Sequence, residues 1–454
     1  MSTIDLSIET LQQDYRSGKT HPVRVTEELL ERIVQTHEDL HAFITVARER
    51  ALTDARASLA RWQAGKPLGP LDGIPIAIKD NVDVAGLPCT AGSAALKQRT
   101  PTLDAPAAAR LAAAGSILLG KLNMHEGALG ATTDNEAFGR CMNPLHAGHS
   151  PGGSSGGSGA AVAAGLCSAA VGSDTMGSIR VPASYCGVFG YKPGNDTVPA
   201  QGTVPLCHVL DVAGPLATRA VDCASMALAM MGRPVVSMDT RADAPSPWSG
   251  MRIGIPRQLD SIALHDEVSK GFDAFIACLA KAGAAVSRID IPLWDPTRSR
   301  RAGFLASEAD ALAWWRSEIG HDLPGVSAPF GAMLRFAEKA GAEKVALARH
   351  TLSMLAASAT DAFRGVDLIA LPTTPHASFV HTATPPIDQA DLTALANFYA
   401  CPAWAIPVEA SGRAVSVQLM SPAGTDDRLL GLAPFIDRLG PRSRQFPHAM
   451  ALPA

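Results

Sequence analysis

Apolar residues recur at three- and four-residue steps between residue 5 and about residue 64, as in Leu29, Leu30 and Ile33 and then Leu52, Ala55 and Leu59. That period predicts helices. The pattern changes at "PLDGIPIAIKDNVDV", where Ile74, Ile76 and Ile78 alternate and predict a strand ending at Lys79. "DAPAAARLAAAG" (104 to 115) predicts a helix with Gly115 near its C-cap, and "SILLGK" a buried strand after it. Helix, strand and glycine-rich turn alternate in this way to about residue 195, as in an α/β layered core. Beyond a polar, proline-rich stretch that reads as a surface loop (233 to 250), "MRIGIP" restarts a strand and "HDEVSKGFDAFIACLAKAG" reads as a helix. The segment from 300 to 365 is largely helical, and "VDLIALPTTP" and "AVSVQLMSP" read as strands returning to the sheet. Residues 196–210, 295–350 and 376–396 carry the weakest pattern, which in an enzyme suits segments that shape a substrate pocket.

Bulk properties narrow the function more than the fold. A chain of 454 residues suits one large domain or two to three ordinary ones, and 47% hydrophobic against 18% charged residues is globular composition. A net charge of −4 with no Lys/Arg cluster argues against nucleic acid or an anionic membrane as partner. No apolar run reaches the ~18 residues of a membrane span, and the polar start "MSTIDLSIETLQQDYRSGKT" does not read as a secretory signal. Eight scattered cysteines without a CxxC pair fit buried thiols in a reducing cytoplasm, which is where the chain is expected to work. The histidines show no ligand-like spacing, so no metal is expected.

One stretch needs a separate argument. "SPGGSSGGSG" (150 to 159) has the composition of a flexible tether, but the apolar, helix-favouring "AAVAAG" follows it directly. A phosphate loop fails: nearby "GSILLGKL" (115 to 122) has Leu122 where Ser or Thr should hold magnesium, and its aliphatic interior suits a strand. Gly152 to Gly156 matches the nucleophile-elbow pattern G-x-S-x-G, but no hydrophobic strand precedes it. Downstream, "VGSDTMGSIRVPASYCGVFGYKP" places Ser178 after Met176-Gly177, where small residues let backbone N–H groups converge as an oxyanion hole. A serine there needs a base, and a buried neutral lysine can serve. Lys79, at the end of an apolar strand, is placed for that, since desolvation lowers a lysine pKa. Singly, Lys79, Ser154 and Ser178 each have an ordinary explanation.

Together, "LDGIPIAIKDNVDVAGLPCTAGS", "PGGSSGGSGAAVAAGL" and "GSDTMGSIRVPASYCGVFGYKP" resemble the amidase signature family of Ser-cisSer-Lys hydrolases. Fainter echoes follow in "DLIALPTTP", "NFYACPAWAIPV" and "VSVQL", so the resemblance covers most of the chain. It implies an α/β fold with a large mixed, twisted sheet covered on both faces by helices. It also implies one amidase domain over 1–454, with a helical segment to about 64, a catalytic core over 65–230 and a remainder over 251–454. Carried over residue by residue, it makes Lys79 the base, Ser154 the cis-serine and Ser178 the nucleophile. The oxyanion amides fall on Thr175, Met176, Gly177 and Ser178. Asp174 and Arg180 become a supporting ion pair, and Ser155 a support for the loop.

One departure stands out. Many members have Gly-Gly before the nucleophile, whereas Met176-Gly177 stands here, so the acyl pocket and any substrate borrowed from Gly-Gly members are open. The implied activity is cofactor-free hydrolysis of a linear amide of small or medium size, with carbamate, urea-type and hydrazide bonds as variants. The second reading is the amidase subunit of a tRNA-dependent amidotransferase, which needs partner chains. Met176 and the divergent 295–396 region favour the stand-alone enzyme, with a homodimer left open. No N-terminal membrane helix or C-terminal extension is visible, against a fatty-acid-amide or fused allophanate type. The presence of all three catalytic side chains argues against a dead scaffold. The pocket is expected along Met124 to Thr133, near Met176 and within 300–400, although Trp314, Trp315 and Phe330 read more readily as core.

Overall fold

The computed structural model describes residues 4–235 and 246–439, so most of the expected 233–250 loop lies outside the described residues. Eleven strands make one mixed sheet: β1 (Phe43–Val46), β2 (Pro75–Lys79), β3 (Ile117–Leu122), β4 (Ala169–Asp174), β5 (Phe189–Lys192), β6 (Val212–Ala217), β7 (Arg252–Pro256), β8 (Ala285–Ile289), β9 (Leu368–Pro372), β10 (Ala403–Ala410) and β11 (Arg413–Met420). Their order is β1-β3-β2-β4-β6-β5-β10-β11-β9-β7-β8. β2 runs parallel to both β3 and β4, and β7 parallel to β8 and β9; the other pairings are antiparallel. Every residue of β2, β3 and β4 is buried, as parallel strands covered on both faces require.

One element departs from the periodicity. β1 interrupts the N-terminal segment read as helical, pairing antiparallel with β3 at the edge of the sheet between helices Pro22–Gln35 and Arg48–Gln63. Four residues are too few to display a two-residue alternation. The 300–365 segment is largely helical, as read from the sequence, in Pro296–Ile319, Ala328–Ala340 and Ala342–Ala357, although its pattern is weak. Asp295 caps the first of these by accepting from the N–H of Arg298 at 2.8 Å, with Pro296 in its first turn. This helix buries Arg300, Gly303, Ala306 and Glu308 beside Ala311, Leu312 and Trp315, so no clean apolar stripe marks it.

A large apolar cluster lines the sheet, and a smaller one gathers Cys89, Met124, Leu129, Trp315, Phe330 and Leu334. Trp315 and Phe330 meet edge-on at 5.2 Å, which makes them core, while half-buried Trp314 borders an open cleft. The eight cysteines are free thiols, all buried except the half-buried Cys278. Among the described residues no helix is long and apolar enough to cross a membrane.

The glycine-serine stretch is interior. Residues 150–159 are all buried, and the helix Gly156–Ala163 starts within them. A Cβ on Gly157 would stand 2.3 Å from the carbonyl oxygen of Asn123 and 2.7 Å from that of Ala42. Glycine is therefore what lets this helix lie directly on the backbone leaving β3. Both obstacles are main-chain atoms, so Gly157→Ala should cost about 1–3 kcal/mol in a urea titration. A midpoint unchanged from the parent would show that the close contact is not needed.

Candidate active site

The carboxyl ends of β2, β3 and β4 lie side by side, with Lys79 level with Leu122, and Ile78 level with Val171. The segments leaving those ends converge above them. Lys79, the last residue of β2, is fully buried, and its Nζ donates to Ser154 Oγ at 2.7 Å and to Ser173 Oγ at 2.8 Å. The Gly153–Ser154 peptide is cis, and the Ser154 carbonyl accepts from the N–H of His125 at 3.0 Å. The next amide, that of Ser155, donates to the carbonyl of Ser178 at 3.2 Å, joining the stretch to the segment that carries the expected nucleophile. Lys79 and Ser154 are closed off from solvent, whereas Ser178 is only half-buried. The most accessible of the three is thus the one that would meet a substrate.

Burial dominates the Lys79 ammonium. It pushes the pKa down to about 7, although the nearby carboxylates of Asp174 and Asp211 pull the other way. A hydrophobic strand end thus supplies an amine that is half unprotonated near neutrality.

The 174–180 loop is held from below. Asp174 Oδ1 accepts from the N–H of Gly177 at 2.7 Å, and Oδ2 from that of Ile179 at 3.1 Å. Arg180 forks onto the same carboxylate at 3.0 and 2.9 Å, both side chains fully buried. Burial alone would raise the Asp174 pKa, but the Arg180 guanidinium outweighs it and holds the carboxyl at about 2. Arg180 also donates to Gln418 Oε1 and the Thr393 carbonyl, and Asn397 donates to Asp174, so distant segments lock the loop. Gly177 has φ +133°, and a Cβ there would stand 2.2 Å from Thr393 Oγ1. That hydroxyl donates to the Met176 carbonyl at 2.6 Å.

The remaining residues singled out from the sequence fall into place around this frame. Ser155 Oγ donates to the Ser173 carbonyl at 3.1 Å and accepts from its N–H at 3.2 Å, a structural contact. Thr175 Oγ1 donates to Asp211 Oδ1 at 2.5 Å, and burial pushes the Asp211 carboxyl up to about 6. The Met176 side chain is packed inward, its Sδ 2.5 Å from where a Cβ on Gly303 would stand. Thr133, expected in the pocket, is fully buried and spends its hydroxyl on the carbonyl of Gly152 and the N–H of Gly156. It braces the glycine-serine stretch, because the Gly152 carbonyl lies in a loop and the Gly156 N–H is a first-turn amide without an intrahelical acceptor, so both need partners. Met124 is likewise fully buried, within the smaller apolar cluster.

Ser173 and Asn81 were not singled out, yet Ser173 Oγ accepts from Lys79 and from Asn81 Nδ2 at 3.1 Å. Their signal was position alone: Ser173 precedes Asp174 in the strand, and Asn81 follows Lys79 by two. A cleft of about 720 Å³ borders the loop on the side of Asp211, Asn397 and Phe398.

A family model, Amidase, matches residues 24–430. A glutamyl-tRNA(Gln) amidotransferase subunit from Synechococcus sp. (strain CC9605) is 33% identical over 472 residues, covering 95% of this chain and 96% of that protein. A crystal structure of an amidase superposes with a TM-score of 0.86 at 28% identity, covering 96% of this chain and 100% of that one. The corresponding glutamyl-tRNA(Gln) amidotransferase subunit from Thermotoga maritima superposes with a TM-score of 0.75 at 26% identity, covering 95% of each chain. Two of these names include a tRNA, a kind of molecule that the charge pattern had argued against as a partner.

The buried pair gives a direct test of the frame. Arg180→Met leaves the Asp174 carboxylate buried without its cation and should destabilise the protein by about 3–5 kcal/mol. Adding Asp174→Asn to that variant should recover part of the loss, measured as the shift in denaturant midpoint. No recovery would mean that the two side chains act independently.

Proposed function

The chain belongs to the amidase signature family, and on that footing we propose that it cleaves an amide-type carbon–nitrogen bond through a Ser178 acyl-enzyme. The observation that carries this reading is Lys79, fully buried, shifted towards neutrality and bonded to Ser154 beside the Ser178 segment. Ser178 Oγ adds to the substrate carbonyl while its proton passes to Ser154 Oγ, which hands its own to neutral Lys79. The carbonyl oxygen becomes an anion facing backbone N–H groups of the 175–178 loop. Gly177 N–H is already engaged by Asp174, which leaves those of Thr175, Met176 and Ser178. As the tetrahedral species collapses, the C–N bond breaks and the relay returns the proton to the leaving nitrogen. Water then attacks the Ser178 ester by the same route, releasing the acid and the free serine.

Two settings for this chemistry differ in partners. The amidotransferase reading, in which released ammonia passes to a partner's site in a tRNA-dependent complex, draws support from relatives of that name that align along nearly the whole chain. On sequence likeness it stands ahead of the stand-alone amidase, reversing the order that Met176 and the 295–396 region favoured. The stand-alone reading draws support from the higher TM-score of the amidase structure, 0.86 against 0.75. Purification from the native cell separates them: co-purifying partner chains with tRNA-dependent amidation support the first, and full amide hydrolysis by the lone chain supports the second.

Ser178→Ala should abolish both turnover and covalent labelling by a fluorophosphonate; a variant that still labels would remove Ser178 as nucleophile. Lys79→Ala and Ser154→Ala should each lower kcat by about 10²–10⁴-fold, with losses that do not add in the double variant. Because burial lowers the Lys79 pKa to about 7, the active neutral amine is lost as pH falls through that value. The rate should therefore rise with pH around 7 and level off above it, and a flat profile on both sides of neutrality would exclude this base.

A further inference from the structure

The helix Pro296–Ile319 holds a carboxylate that nothing in the protein satisfies. Glu308 is 8% exposed, and its Oε2 is buried without a hydrogen-bond partner. Among the described residues every other buried Asp or Glu has a hydrogen bond or an ion pair, such as Asp174 with Arg180, Asp391 with Arg300 and Glu126 with Ser93. Desolvation pushes the Glu308 carboxyl up to about 7, the direction expected when no partner offsets burial.

The helix that carries it runs past both segments that flank the proposed reaction centre. Phe304, one turn before it, and Ala311, Leu312 and Trp315, one to two turns after it, all pack on the smaller apolar cluster with Met124, Ala128 and Leu129. That cluster is built on the segment that leaves β3 next to His125, whose N–H holds the Ser154 carbonyl. Five residues before Glu308, Gly303 lies against Met176 in the 175–178 loop. The carboxylate thus shares its helix face with residues of the cluster that supports Ser154, on a helix whose neighbouring face meets the loop that carries Ser178. For packing alone, a glutamine or methionine of similar size would fill the space without the cost of desolvating a carboxylate.

We propose that Glu308 determines specificity by pairing with a cationic nitrogen, an ammonium or amidinium, on the substrate. The inference rests on the amide-cleaving reading, because it assigns the wall of that same site. A bound cation would supply the missing partner and make the carboxylate–ammonium pair a strong, charge-assisted contact in a desolvated setting. Glu308 touches the non-reacting part of the substrate and takes no part in the proton relay.

The test is made on Ser178→Ala protein, so that affinity is read without turnover. Calorimetry at pH 8, where Glu308 is largely ionised, compares ω-amino amides of two to five methylenes with their ω-methyl isosteres. At least one ω-amino amide should bind more tightly than its isostere, and Glu308→Gln should reduce that preference by about tenfold, or about 1.4 kcal/mol. Glu308→Asp should restore part of it. Glu308→Met, matched in size and apolar, guards against a folding defect in the Gln variant and should lose the preference as well. Equal binding of each pair by the parent, or a preference that survives Glu308→Gln and Glu308→Met, overturns the proposal. Failure of the amide-cleaving reading shows elsewhere, as absence of turnover in protein with Ser178 intact.

Discussion

Desolvation of one amine is the constraint on which the rest depends. Lys79 ends β2 in a fully buried part of the sheet, where parallel strands have helices over both faces. The burial that this packing imposes would be a liability for an ordinary lysine. Here it shifts the amine towards neutrality, as the proposed base requires, provided that hydroxyls rather than carboxylates meet the nitrogen. Ser154 and Ser173 are those hydroxyls, while Asp174 and Asp211 stay close enough to be felt but do not bond to it. A carboxylate in direct contact would hold the proton on and disable the proposed relay.

The second requirement is a loop that holds its shape when charge develops. The Asp174 carboxylate takes two loop amides and a forked guanidinium, and Arg180 reaches on to residues more than two hundred positions later in the chain. The loop is therefore rigid only when β11 and the 391–397 segment are in place. Local sequence supplies the turn, and the closed sheet supplies its stiffness. Donors preorganised in this way would need no rearrangement in the proposed reaction as an oxyanion forms.

This division explains what was legible in the sequence. β2 could be read because Ile74, Ile76 and Ile78 alternate after a helical stretch, and Lys79 could be read as its end. Ser154 and Ser178 emerged from the motif blocks, whose spacing is local, and the cis peptide at Ser154 is present in the structure. Ser173 could not be read as a lysine partner, since nothing in "VGSDT" says which strand lies beside β4. Thr393, Asn397 and Gln418 were out of reach for the same reason, their contacts being set by strand order. β1 was missed because it is short, and the helix from Pro296 was legible only as part of a broadly helical 300–365 segment, because polar and small residues share its buried faces. Thr133 and Met124 were read as pocket, but two backbone groups without partners and an apolar cluster claim them.

The glycine-serine stretch has a consequence for how such a chain can diversify. Where an added methyl group meets main-chain oxygen, as at Gly157, or a fixed threonine, as at Gly177, there is no room to write new chemistry into the motor of the enzyme. The three long helices between 296 and 357 pack through side chains instead, and side chains can be exchanged one at a time. A library seeking new substrates should be built there, leaving the strand ends and their loops as an invariant engine beneath a replaceable face.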